Sequence, residues 1–320
     1  MKVLVAGGAG FIGNRVCEEL LGHGHRVVCV DNLSTGTVDN IERLSHLPSF
    51  EFRRQSAEDV DTASVDLIIH LASPASPVDF DRIPLEIIRA NVLGTWRLLE
   101  TARQSGAMFL FASSSEVYGE ADVHPQPEQY FGNVDPTGPR ACYDESKRVG
   151  ETLVATFVRQ YATCARIIRI FNTYGPRMRP DDGRVVPEFI TAALQGQPLM
   201  LHGGGLQTRS FCFVDDLVRG IIQVAFDPDN AGEVFNLGNP TEVTVRRLAE
   251  TVIQMTGSTS ALVDGERRPQ DPSRRKPDIT KVTTRYGWQP AIELQEGISR
   301  TVRWFSDPSV ATPADSVLPA

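Results

Sequence analysis

Tyr143 and Lys147 stand four residues apart in Tyr143-Asp144-Glu145-Ser146-Lys147. On a helix that spacing puts both on one face, with the ammonium near the phenol. A free phenol titrates near ~10 and is a poor base at neutral pH, whereas a neighbouring cation favours its phenolate. Such a pair can take the proton of a carbinol whose carbon is being oxidised. Upstream, Ser113-Ser114-Ser115-Glu116 closes an apolar run and offers both a hydroxyl donor and a carboxylate. The bland alternative for Tyr143 and Lys147, a chance pair on a surface helix, weakens once these serines are set beside them.

Oxidation of a carbinol needs a hydride acceptor, and the start of the chain supplies a place for one. Gly7, Gly10, Phe11, Ile12 and Gly13 lie between a first apolar run and an amphipathic stretch. Glycines there allow a tight turn, close approach of the backbone to a pyrophosphate, and close packing of helix on strand. Glycine-rich turns are common, so Asp31 carries the point. It ends the second β-branched run, where a carboxylate can bind both ribose hydroxyls of an adenosine, and its charge opposes a 2′-phosphate. NAD is therefore the expected cofactor, in preference to NADP.

These residues must be held by a sizeable core, and 320 residues can bury one. Apolar runs at residues 2–6, 26–30, 66–72, 108–113 and 165–170 alternate with helical stretches at 11–23, 84–105 and 139–161. Strands apolar on both faces and alternating with helices indicate a parallel sheet covered on both sides. The expected fold is α/β: a Rossmann-type doubly wound parallel sheet with a smaller C-terminal substrate lobe. The expected division is a dinucleotide-binding domain over 1–172 with a return segment near 210–238. A discontinuous substrate lobe then occupies 173–305, and a loosely held tail 306–320. Residues 172–183, rich in Gly, Pro, Arg and Asp, read as a long functional loop. Pro139 is placed in the first turn of the helix bearing Tyr143.

With 32 basic against 40 acidic side chains the net charge is −8, which argues against nucleic acid or an anionic membrane surface as partner. No apolar run approaches the ~20 residues of a membrane span. The first strand begins at Lys2 with no apolar leader before it, so the expected location is the cytoplasm. Five cysteines without metal-type spacing suit reduced thiols, and the histidines lack metal spacing too. No metal is expected. His70, at the end of an apolar strand, reads as a satisfied inner histidine.

Glycines spaced three and three, with Tyr-x-x-x-Lys downstream, resemble the extended short-chain dehydrogenase/reductase superfamily from Val3 to about Phe305. Longer runs narrow the likeness. Leu71-Ala72-Ser73-Pro74-Ala75-Ser76-Pro77, Gly138-Pro139-Arg140-Ala141-Cys142-Tyr143-Asp144-Glu145-Ser146-Lys147-Arg148, Phe171-Asn172-Thr173-Tyr174-Gly175-Pro176-Arg177-Met178 and Asp182-Gly183-Arg184-Val185-Val186 resemble the UDP-glucuronate decarboxylases, or UDP-xylose synthases. The resemblance implies oxidation at C4 of the sugar, loss of CO2 from the resulting β-keto acid, and return of the hydride within one cycle. It assigns Ser114, Glu116, Tyr143, Lys147 and Arg184 to catalysis. It assigns Gly7, Gly10, Phe11, Ile12, Gly13, Asp31, Asn32, Leu71, Ala72, Tyr143 and Lys147 to NAD. Ser114, Asn172, Arg184, Arg209 and Arg275 fall to the UDP-sugar, with Arg209 and Arg275 on its diphosphate. A homodimer is also implied.

Where the family offers an Asp to adenine, this chain has Ser56, with Glu58 or Asp59 in the same loop. Related 4,6-dehydratases carry Asp-Glu after the hydroxyl residue and 4-epimerases a small or neutral residue at the Glu position; Ser115-Glu116 matches neither. A UDP-sugar 4-epimerase of the same superfamily is the competing reading. A non-enzymatic NAD-binding scaffold would have no use for a proton-transfer trio. Arg177, Arg179, Arg267, Arg268 and Arg274 read mostly as solvated surface charge.

Overall fold

The computed structural model describes residues 1–61, 64–266 and 274–307. Along the first half of the chain, strands and helices alternate as β1 (Lys2–Ala6), α1 (Phe11–Gly22), β2 (Arg26–Asp31), β3 (Phe50–Arg54) and β4 (Leu67–His70). The short helices α2 (Pro77–Arg82) and α3 (Pro84–Ile88) then lead through a π-helical turn, Arg89–Gly94, into α4 (Thr95–Ser105). After these come β5 (Met108–Ser114), α5 (Ala141–Tyr161) and β6 (Ala165–Ile170). The chain then leaves the sheet through β7 (Thr173–Tyr174), α6 (Val185–Leu194), β8 (Leu199–His202), β9 (Thr208–Ser210) and β10 (Cys212–Phe213). Helix α7 (Val214–Ala225) brings it back to β11 (Val234–Leu237). It ends with β12 (Glu242–Thr244), α8 (Val245–Thr256), β13 (Leu262–Gly265), β14 (Arg274–Arg275), α9 (Thr280–Tyr286) and α10 (Leu294–Ser306).

Seven parallel strands form one sheet in the order β11-β6-β5-β4-β1-β2-β3. This is the doubly wound order, with its switch point between β1 and β4, where open α/β sheets bind ligands at the carboxyl ends of their strands. Alternation along β1 explains how both faces are covered. Val3 and Val5 pack with Val16, Cys17 and Leu20 of α1 and Leu217 and Ile221 of α7. Leu4 and Ala6 join Leu98, Leu99 and Ala102 of α4 and Val154 and Phe157 of α5. A strand pair, β8–β13, and a three-stranded sheet, β12–β9–β14, with α6, α8 and α10, make the smaller lobe. No described helix is long and apolar enough to cross a membrane.

Two elements differ from the sequence expectation. The 84–105 stretch contains the π turn, and this swings buried Asn91 so that its amide donates to Ser146 Oγ at 2.9 Å. Pro139 lies in the preceding turn rather than the helix: Ala141 N donates to Gly138 O, and Arg140 is the N-cap of α5. Arg267, Arg268 and residues 308–320 fall outside the described residues.

Helix α5 can approach β5 because residue 150 is glycine. A Cβ there would lie 2.4 Å from Phe111 Cζ in the middle of the sheet. Gly150→Ala should therefore cost about 1–3 kcal/mol by overpacking, read as a lower urea midpoint, with kcat lowered as α5 moves. An unchanged midpoint would contradict this packing account.

Candidate active site

A cavity of about 330 Å³ opens at the carboxyl ends of β1, β4, β5 and β6, beneath the smaller lobe. Its first wall is the glycine turn. Gly7 has φ 83°, and a Cβ there would meet Leu71 C and Ala72 N at 2.7 Å. A Cβ on Gly13 would meet Gly7 O at 2.0 Å. The turn thus packs against the end of β4 and against α1, and only glycine fits at both points. Gly10 caps α1 without a side-chain hydrogen bond, so the helix opens with free amides beside Gly10, Phe11, Ile12 and Gly13, which line the cavity. Free amides at a helix N-terminus suit a pyrophosphate.

Asp31 is buried, and its two carboxylate oxygens accept from Ala9 N at 3.0 Å and Leu33 N at 2.8 Å. Burial raises its pKa, and those two amides oppose the rise. Asn32 Nδ2 donates to Ser56 Oγ at 3.1 Å, so these two residues of the expected adenine region are bonded to each other. Glu58 lies 3.3 Å from Arg89. Leu71 lines the cavity, whereas Asp31, Asn32 and Ala72 are not among its lining residues. The shape of the turn and the amides of α1 fit a bound dinucleotide.

The second wall carries Ser114, Tyr143 and Lys147, the residues expected to transfer protons. Strand β5 delivers Ser114, and the 3₁₀ turn Ser115–Tyr118 follows at once, with Glu116 N donating to Ser114 Oγ at 3.2 Å. Tyr143 and Lys147 face the cavity from α5, as their spacing predicts. Burial pushes the Tyr143 phenol up to about 12, partly offset by its hydrogen bond with Ser114 and by Arg184. Lys147 Nζ donates to Ala112 O at 2.7 Å and stands 5.7 Å from the Tyr143 ring. Burial lowers this ammonium to about 7, against the opposing charge of Glu151. Burial, rather than the lysine, thus sets the phenol's protonation in the ligand-free cavity. Phe80 stacks on Tyr143 at 5.1 Å, fixing the ring plane.

Glu116 sits among guanidinium groups. Arg140 Nη2 donates to its Oε2 at 2.6 Å, and Arg275 Nη2 lies 3.5 Å from the same atom. Burial alone would raise this carboxyl, but Arg275, Arg140 and Arg209 hold it down at about 2. Asp144, one residue beyond Tyr143, moves the other way, to about 7, through burial and the Glu116 charge. Arg275, expected on the diphosphate, bonds the carbonyls of Ser115 and Gly119 and is fixed beside Glu116. Arg209, its register partner in β9, and Asn172 line the same cavity. Arg184, N-cap of α6, pairs with Asp182.

Sequence reasoning gave no role to Arg140, Asp182 or Phe80. Arg140 and Asp182 stand inside the quoted runs, but their partners do not follow from local spacing. Arg177 departs from the reading as solvated surface charge: its partly buried guanidinium pairs with Glu18 of α1 at the edge of the cavity. His70 is an inner histidine as expected, Nε2 being 3.1 Å from Thr95 Oγ1, with burial lowering it to about 3. No cluster of metal-ligating side chains exists among the described residues.

The model of the NAD dependent epimerase/dehydratase family matches residues 3–238. UDP-glucuronic acid decarboxylase 5 of Arabidopsis thaliana is 46% identical over 299 residues, covering 93% of this chain and 87% of its own. The solved UDP-glucose 4-epimerase of Thermotoga maritima superposes with TM-score 0.88 at 33% identity, covering 96% of this chain and 99% of its own. UDP-glucuronic acid 4-epimerase of Bacillus cereus, solved with UDP-glucuronic acid and NAD, gives 0.87 at 28% identity, covering 96% and 100%.

The ammonium gives a test of this electrostatic picture. An unfolded lysine titrates near 10.5, well above Lys147 in the fold. Between about 7 and 10.5 the unfolded chain binds more protons, so this group makes stability rise with pH across that window. In cofactor-stripped protein, the wild-type urea midpoint should gain on that of Lys147→Met between pH 7 and pH 9.5. A difference that stays constant would mean that burial does not depress this ammonium.

Proposed function

The chain belongs to the NAD dependent epimerase/dehydratase family, and within it we propose a UDP-glucuronate decarboxylase that forms UDP-xylose and CO2. One observation carries the choice: the Ser114–Tyr143–Lys147 trio shares its wall with a carboxylate gripped by Arg140 and Arg275, and Arg184 lies in the same cavity. Oxidising a neutral carbinol needs the trio alone. A substrate that also bears a carboxylate needs the charged set beside it. The 46% identity to a plant decarboxylase supports the same reading.

Bound NAD supplies a hydride acceptor and donor for C4 of the sugar. Ser114 and Tyr143 hydrogen-bond the C4 hydroxyl, and Tyr143 takes its proton and later returns it. Burial raises the phenol's pKa, so nearby positive charge has to favour the phenolate for this step. Lys147 holds the nicotinamide ribose and lends positive charge. Arg184 orients the substrate carboxylate, exchanging Asp182 for it. That carboxylate must depart as neutral CO2, so binding it too firmly as an anion would slow its loss. Glu116, ionised in the same cavity, adds negative charge to the wall that receives it. Arg275 and Arg140 hold Glu116 as a carboxylate, which suits it to orienting a proton donor at C5 more than to being one.

Arg209 and Asn172 serve the diphosphate, and Arg275 fixes Glu116. A homodimer is supported by exposed Leu85, Ile88, Leu93, Trp96 and Val149 on the neighbouring helices α3, α4 and α5 and the π turn between them. Five free cysteines suit a cytosolic setting.

Without added oxidant, the protein should release CO2 from UDP-glucuronate and form a pentose nucleotide carrying one deuterium at C5 when run in D2O. Recovery of intact carboxylate with inverted C4 would identify an epimerase instead. Tyr143→Phe should lower kcat by about 10²–10⁴-fold with NAD still bound; near-normal turnover would remove the tyrosine from its role.

A further inference from the structure

Arg177 has no part in the chemistry above, yet its side chain is only 10% exposed. Its Nη1 donates to Asn14 Oδ1 at 2.6 Å and pairs with Glu18. Asn14, wholly buried, passes the connection on: its amide donates to Gly10 O at 2.7 Å and Phe11 O at 2.8 Å. One guanidinium thus joins the 172–184 loop to the first turn of α1, beside the amides that suit a pyrophosphate. Glu18 also receives Arg15 and Arg43, and Arg15 reaches Asp215 in the first turn of α7. The far end of the loop is tied elsewhere. Ser76 Oγ donates to Asp182 O, and Arg179 lies 3.5 Å from Asp79 of α2, the helix whose Phe80 stacks on Tyr143.

The backbone of Arg177 has φ 71°. Glycine takes this left-handed region freely and side-chain-bearing residues do not. The bonds of the guanidinium to Asn14 and Glu18 offset that preference. The loop also contributes Asn172, Arg179 and Arg184 to the cavity, and Arg177 itself lines it. A ligand that orders the loop from the sugar-nucleotide side therefore acts, through Arg177 and Asn14, on the glycine turn at the other end. That is the structural condition for linked binding of two ligands.

We propose that Arg177 is a positioning residue that couples sugar-nucleotide binding to retention of the dinucleotide, through Asn14 and the turn at Gly10. The proposal rests on the NAD and UDP-sugar reading of the cavity, and not on which reaction follows.

The test is the rate at which purified holoenzyme releases NAD, with and without saturating UDP. In the wild type UDP should slow release at least tenfold. In Arg177→Gly, which suits the left-handed backbone, and in Arg177→Met, NAD should leave at least tenfold faster, with UDP changing the rate less than twofold. Asn14→Ala should behave alike, and the double variant should add little to either single one. A residue of purely structural value would lower stability without erasing the UDP effect. Should these variants fail to fold, Arg177→Lys, which keeps charge but loses the guanidinium fork, should still weaken UDP protection. Protection equal to wild type in any folded Arg177 variant, or no UDP effect in the wild type, overturns the coupling. CO2 release from UDP-glucuronate by the wild type is scored separately. Protection of NAD without CO2 would leave the coupling standing and remove the decarboxylase reading.

Discussion

The Lys147 ammonium occupies surroundings that penalise its charge: it is 3% exposed, with the Ala112 carbonyl at 2.7 Å and the Phe111 ring at 5.0 Å. Relief comes from one helical turn away. Glu151 accepts from Ser113 Oγ at 2.6 Å and is bridged by Arg169 of β6, with contacts at 2.9 and 2.7 Å. Arg169 in turn donates to Tyr118 OH, which donates to Asn236 of β11. A buried charge network of this kind is poor evidence of stabilisation, since desolvation can exceed the attraction. What it does here is fix α5 against β5, β6 and β11 in one rotation, so that Tyr143 and Ser114 meet.

Glu116 poses the opposite problem and receives the opposite solution. Buried alone, it would take up a proton; ringed by Arg275, Arg140 and Arg209, it stays a carboxylate. Those arginines come from three places: β14, the turn before α5, and β9. The smaller lobe therefore supplies two of the charges that keep a residue of β5's following turn ionised. Sheet and lobe act as one electrostatic unit even though their hydrogen-bonded strands are separate.

What could be read from the sequence divides along the same line. The glycine turn, the Tyr143–Lys147 face and the end of β5 are local: each follows from spacing within one turn or one strand, and each stands where that spacing put it. Arg140 with Glu116 and Arg177 with Glu18 span 24 and 159 positions. Nothing local distinguishes such an arginine from a solvated one, and Arg177 was misread for that reason. The π turn escaped notice because its register depends on a distant partner, Ser146. The two-residue strands β7, β10 and β14 are too short to show a period.

The fold itself does not choose the reaction. Solved epimerases superpose on nearly the whole chain with TM-scores of 0.87–0.88, and a shared scaffold with a shared cofactor allows several fates for a C4 ketone. The choice must then lie in what the wall does to the rest of the sugar. A wall that leaves the ketone alone permits only hydride return. A wall that brings a cation to the C5 carboxylate, with an anion near enough to keep that cation from holding it, permits the carboxylate to leave as a neutral molecule. On the reading proposed above Arg184 is that cation and Glu116 that anion, and both act on Tyr143 across one cavity.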